Sequence, residues 1–237
     1  VEQEWQSLLV ARLANIRPRL ADLSHGATEC CALSSHCYYQ AIPESSRLLS
    51  RLRTEREFAV LYRQFVVLGP GLFAFDRLDP DAVDDTLDWV ADEILEMPRA
   101  ALNKAMREFC EELARADQEH AGLAKRNARL DDADWEIEEE LSKKLRSVRR
   151  DGDFDLIKAV LRGGEPLVPQ FSASLDVQPG LVDSEAVRKA DALLKMVVFS
   201  DAEIKRWVYF WEQYKPWRQL IADAAQRGEA LIVIASD

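Results

Sequence analysis

Apolar residues recur every three or four positions along most of the chain, the spacing that lays them on one face of an α-helix. Trp5, Leu9, Leu13, Ile16, Leu20 and Leu23 form one such stripe, which Pro18 should kink and Gly26 should end. Cys30, Leu33, Cys37 and Ala41 predict a second helix running up to Pro43. Short helices follow at 45–53 and 55–64, and between them Thr54 and Glu57 have the spacing of a capping box. Phe65 to Leu68 and Leu72 to Phe75 flank Gly69-Pro70-Gly71, where the glycines tolerate positive φ and the proline presets a turn, so a β-hairpin is expected near 65–75. Pro80 opens a helix whose buried face is Val83, Leu87, Val90 and Ile94. Pro98 opens the longest one, carrying Leu102, Met106, Phe109, Leu113 and Leu123 and breaking near 127–130.

Seven acids lie between Asp131 and Glu140 and five bases between Lys143 and Arg150, the polarity that suits the dipole of a helix over 132–150. Gly152 is placed to stop it, and a helix from Phe154 to Leu161 follows. Residues 163–182 hold three Pro and three Gly without periodicity, which predicts a linker or long loop. The chain then divides into a helical domain at 1–162, that linker, and a C-terminal helical lobe at 183–237. In the lobe Val187, Leu193, Leu194 and Val198 mark one helix, and Ser200 with Glu203 has the form of a second capping box. Ile204, Trp207, Val208 and Trp211 mark another helix, Pro216 separates a last one, and Leu231 to Ile234 reads as an edge strand. The expected fold class is mainly α: a multi-helix, bundle-like arrangement with one short β-hairpin, in winged-helix-like order.

Composition narrows the class. Among 237 residues, 48% are hydrophobic and 31% charged, which supports a packed core and excludes wholesale disorder. Nine Gly and nine Pro exclude a collagen-like chain, and four Cys, two of them adjacent, do not make a disulfide scaffold. No apolar run of about eighteen residues is present and the N-terminus lacks a signal-peptide pattern, so no membrane partner and a cytoplasmic location are expected. Twenty-two Arg against nine Lys suits a GC-rich, bacterial genome. The start at Val1 and the stop just after an apolar run fit an excised piece of something longer.

Candidate chemistry is sparse. Asp84-Asp85-Thr86-Leu87-Asp88 has the form of the aspartate-rich motif of isoprenoid synthases, where carboxylates hold magnesium against a diphosphate. The nearest second motif, Asp131, Asp132 and Asp134, sits where a helix start favours acids anyway, and the first lies opposite Val83, Leu87 and Val90 on a solvated face. Cys30, Cys31, His36 and Cys37 are soft ligands but lack the paired-knuckle spacing of a zinc site. Neither metal nor cofactor is expected. Arg115 and His120, spaced Arg-x4-His, resemble the motif of HEPN-type ribonucleases, although Ala116 stands where that family usually has a polar residue. The resemblance implies metal-independent RNA cleavage, with His120 moving a proton during attack by the ribose 2′-hydroxyl and Arg115 stabilising the phosphorane.

Arg47, Arg51, Arg53, Arg56 and Arg63 precede the expected hairpin, and a nucleic-acid-binding winged helix would use Arg51, Arg53, Arg56 and Arg63. Glu44, Glu55 and Glu57 cut the charge over 44–63 to +2, the stretch to Glu96 is strongly acidic, and the net charge is −11, all of which repel phosphate. The element order also resembles that of the acidic tandem winged-helix subunits that bind kleisins in bacterial condensins. Near the C-terminus Trp207, Tyr209, Phe210, Trp211, Tyr214 and Trp217 fall within eleven residues. Trp207, Trp211 and Tyr214 share a helical face and read as core, which leaves Tyr209, Phe210 and Trp217 as the expected partner-binding surface. The leading expectation is a non-enzymatic interaction subunit, an adaptor or regulator whose partner is another protein. The alternatives are a HEPN-like ribonuclease and a winged-helix, condensin-like or nucleic-acid-binding subunit.

Overall fold

Ala230, Ile232 and Ile234 alternate with Leu231 and Val233 near the C-terminus, and both sets are fully buried. A strand with two apolar faces needs cover on each side, and that requirement organises the molecule. The structure, a computed structural model, describes residues 36–68, 80–131, 134–167, 179–206 and 208–236. In chain order its elements are β1 (His36–Pro43), α1 (Arg47–Thr54), α2 (Arg56–Leu68), α3 (Pro80–Trp89), α4 (Arg99–Glu119) and β2 (Asn127–Asp131). There follow α5 (Asp134–Ser147), α6 (Phe154–Arg162), β3 (Glu165–Pro166), β4 (Gly180–Val182), α7 (Ser184–Leu194), α8 (Asp201–Arg206), α9 (Val208–Arg227) and β5 (Glu229–Ser236). A π-helical turn, Val90–Leu95, continues α3.

The five strands form one antiparallel sheet in the order β2-β1-β5-β4-β3. Helices α1 to α4 cover one face, where Leu48, Leu52, Phe58, Leu87 and Phe109 join Ile42, Ile232 and Ile234. Helices α5, α6, α7 and α9 cover the other, where Leu141, Ile157, Val187 and Trp217 join Tyr39, Leu231 and Val233. The chain is therefore mainly helical, with a small antiparallel sheet between two helical layers. Among the described residues no helix is long and apolar enough to cross a membrane.

Several expectations are corrected. Residues 36–43 are strand β1, not the end of a helix: a spacing of four fits both periods, and Cys37, Tyr39 and Ala41 line one face of a strand. Phe65 to Leu68 are the last turn of α2 rather than half of a hairpin: the helix whose first turns bury Phe58 to Tyr62 runs on through them. The rest of the expected hairpin lies outside the described residues. Thr54 does not cap α2; its hydroxyl donates to the Ser50 carbonyl at 2.9 Å. The region 127–130 is strand β2, and β5 is central in the sheet, not at its edge. Helix α9 runs through Pro216, which is exposed. Within 163–182, the glycines serve close packing: a Cβ on Gly180 would lie 2.7 Å from the Cα of Gly163.

Candidate functional site

Six large hydrophobic side chains are well exposed among the described residues: Trp89, Val148, Met196, Val198, Ile204 and Tyr209. Four of these fall between residues 196 and 209, the stretch that joins α7 to α9 through α8. The same stretch contributes Phe199 to an aromatic frame. The Phe199 ring meets Trp211 at 4.9 Å, Tyr214 at 5.4 Å and Phe210 at 5.7 Å between centroids. Phe210 stacks on Tyr214, Tyr214 meets Trp217 at 5.8 Å, and Trp217 meets Tyr39 of β1 at 6.2 Å. The column ends on a hydrogen bond from the Tyr39 hydroxyl to the Leu161 carbonyl at 2.6 Å. Burial pushes the Tyr214 phenol up to about 12.

This frame reassigns the expected contact residues. Phe210, Tyr214, Trp217 and Ile221 recur at helical spacing and point into the core, so Phe210 at 2% exposure and Trp217 at 0% are not available to a partner. Tyr209, one residue before that stripe, is 51% exposed. The aromatic density at 207–217 was visible in the sequence, but which residues face inward depended on the helix's rotation against β1.

Two devices hold the exposed side chains in place. The first is the capping box that begins α8: the Ser200 amide and hydroxyl donate to the Glu203 carboxylate at 2.7 and 2.8 Å, and the Glu203 amide donates back to the Ser200 hydroxyl at 3.4 Å. Lys144 of α5 reaches the same carboxylate at 2.6 Å and lies 5.1 Å over the Phe199 ring. Lys144 and the Ser200 donors together hold the Glu203 carboxyl down at about 2. The second is the end of α5. Arg150 donates its amide to the Leu145 carbonyl at 2.8 Å, Arg149 donates to Arg146 at 3.1 Å, and Arg149 takes the left-handed conformation at φ 60°. That is a Schellman ending with an arginine where glycine is usual. It replaces the stop expected at Gly152. Val148 lies one helical turn beyond Lys144, the residue that reaches Glu203 of α8, and is exposed.

Around this apolar patch bases outnumber acids, nine to three over 143–150 and 195–215, although Asp201 and Glu212 are exposed there and Lys143, Lys144 and Arg150 pair with Glu139, Glu203 and Asp153. Residues 143–150 contain Lys143, Lys144, Arg146, Arg149 and Arg150 and no acid, on a chain whose net charge is −11. Lys195 and Lys215 are exposed at its other margin. Asp191, buried in α7, takes Lys195 at 2.7 Å and Arg218 of α9 at 2.9 Å, which fixes the two helices that flank the patch.

The other sequence candidates are dispersed. Arg115 donates to the buried carboxylate of Glu112 at 2.5 Å, a group that Arg47 also approaches at 3.4 Å. His120 lies past the last turn of α4, and five positions along a helix are about 140° apart around its axis, so the pair does not share a face. Arg51 stacks 3.7 Å over Phe58 and binds Glu55 and Glu108. Arg56 donates to the Ile94 carbonyl at 2.7 Å, and Arg63 is partly buried. Arg53 is exposed and lines a cleft of about 460 Å³ with Glu44, Ser50, Glu165, Leu167 and Leu181. These arginines do not form one cationic face. Cys37 is buried and Cys110 partly so, with burial and then Glu111 pushing the Cys110 thiol up to about 12. Cys30 and Cys31 lie outside the described residues. Among the described residues no three His, Cys, Asp or Glu are grouped to hold a metal ion. Comparison of the chain with known protein families, curated proteins and solved structures gave no match.

Proposed function

We propose that the chain is a protein-interaction subunit, an adaptor or regulator within a bacterial cytoplasmic complex, and that Val148, Met196, Val198, Ile204 and Tyr209 form its contact surface. The observation that supports this is the concentration of exposed apolar side chains in a stretch that contributes Phe199 to the aromatic frame. Val198 alone is 74% exposed, and scattered single hydrophobics would need no such explanation. The local excess of bases on an acidic chain selects the partner's chemistry: an apolar segment flanked by acids, attracted by the local sign of charge. Tyr209 and the bases Arg146 and Arg149 are residue types that carry contact energy at such surfaces.

The test pairs two kinds of variant. Val198→Asp and Tyr209→Ala remove exposed groups and should leave folding stability within about 0.5 kcal/mol, whereas Trp217→Ala empties a core position and should cost roughly 3–5 kcal/mol. Affinity capture from the bacterial host, followed by crosslinking, should give a partner crosslinked at Lys195 or Lys215. That partner should be lost in Val198→Asp and Tyr209→Ala. A partner retained by both, or crosslinked only elsewhere, would overturn the assignment.

A further inference from the structure

The sixth exposed hydrophobic, Trp89, lies apart from the patch and carries the opposite charge around it. It ends α3 where the π-helical turn begins, and residues 80–96 contain seven acids and no base. Asp85, Asp92 and Glu93 are exposed and make no ion pair among the described residues, while Asp88 holds Arg99. The buried side of this element, Leu87, Val90, Ala91 and Ile94, belongs to the α1–α4 layer. The basic patch belongs to the layer across the sheet, that of Phe210, Tyr214 and Leu145.

From this placement we infer that the segment seated on the basic patch is the Trp89 element of a second copy of the same chain, in a head-to-tail contact. The inference rests on the patch being a contact surface and names its occupant. Every exposed large hydrophobic among the described residues falls either at Trp89, in a stretch of seven acids, or at 148 and 196–209, where bases outnumber acids, so the two differ in the sign of local charge. The two lie on opposite sides of the sheet. One molecule therefore cannot join its own pair, but two molecules can. Such a contact is heterologous: each copy uses a different surface, so association continues into a ring or an open chain unless geometry closes it. Patch-to-patch pairing would instead bring bases against bases, and like charges across a contact oppose it.

Sedimentation velocity on the full chain tests this. The wild type should self-associate as concentration rises, and the association should weaken about tenfold or more between roughly 0.05 and 0.5 M salt as the charges are screened. Trp89→Ala, which spoils one surface, and Val198→Asp, which spoils the other, should each be monomeric with unchanged circular dichroism. An equimolar mixture of the two variants retains one intact pairing and should form a dimer that grows no further. A wild type that stays monomeric up to about 1 mM overturns the inference. So does a mixture that remains monomeric. Self-association kept in Trp89→Ala but lost in Val198→Asp overturns it in favour of patch-to-patch pairing. If the wild type is monomeric and Val198→Asp still loses a crosslinked foreign partner, the patch is a contact surface for another protein and only its occupant was misassigned. If neither self-association nor a foreign partner depends on Val198, both readings fail.

Discussion

Arg149 shows how much a single backbone position is asked to hold. A side chain with a Cβ in the left-handed region costs roughly 1–2 kcal/mol relative to the helical conformation, and at the end of a Schellman motif glycine removes that strain. Arg149→Gly should therefore raise stability by about 0.5–1 kcal/mol, part of the relief being offset by glycine's freedom in the unfolded chain. Arg149→Ala keeps the Cβ and should not. Urea denaturation of the three proteins checks the order. If the proposed contact surface uses the Arg149 charge, the stabilised glycine variant should bind the proposed partner less tightly. A carboxylate placed the other way, Glu112, is buried at 2% exposure and held by Arg115 and Arg47, tying α4 to α1. There the arginines satisfy a buried charge, which would otherwise be strongly unfavourable.

Helix α8 has six residues and cannot stand without its neighbours. Its Ser200–Glu203 box and the Lys144 bridge set where Ile204 projects. Ser200→Ala should lower stability by about 1 kcal/mol and increase amide exchange across 201–206. The bridge has a pH sign as well. Glu203's carboxyl is held low in the folded chain, so its contribution is complete above the ordinary carboxylate range near 4.5 and is lost as pH falls toward 2. How much of this was readable depends on the element. The Ser200 box, the acid-to-base polarity of α5 and the buried stripes of α3 and α4 follow from local spacing, and these are the parts that agree. Of the strands, β5 is readable at Leu231 to Ile234; β1 is not, because Cys37 and Ala41 satisfy helix and strand periods alike, and β3 and β4 are only two and three residues long. The proposed contact patch is half visible in the sequence: its aromatic density is local, whereas the burial of Phe210 and Trp217 depends on β1, some 170 residues earlier in the chain.

Cys110 lies in one helical layer and Tyr214 in the other, and both are pushed up to about 12 by burial. Each binds a proton more tightly folded than unfolded. Above the ordinary thiol and phenol values, 9 and 10, the unfolded chain releases protons that the folded chain keeps, and stability falls as pH rises. Between pH 8 and about 10.5 the loss should reach roughly 3 kcal/mol, most of it from Cys110. Because both layers pack on the same sheet, the loss should appear in one cooperative unfolding transition. Cys110→Ala and Tyr214→Phe should each flatten the alkaline decline of that single transition. Two separate transitions, each sensitive to one substitution, would show that the layers unfold independently.

The pairing of β1 with β5 joins residues about two hundred positions apart, with His36 opposite Ser236. During synthesis, therefore, the central strand of the sheet is the last of the five to emerge from the ribosome. Until it does, β1 has an open edge and both helical layers lack the wall of Ala230 to Ile234 on which they pack. Non-local pairing of this kind folds slowly and leaves apolar surface uncovered in the interim. Nascent chains halted before Glu229 would expose this unfinished sheet to other chains, making them natural clients for chaperones and targets for quality-control proteases.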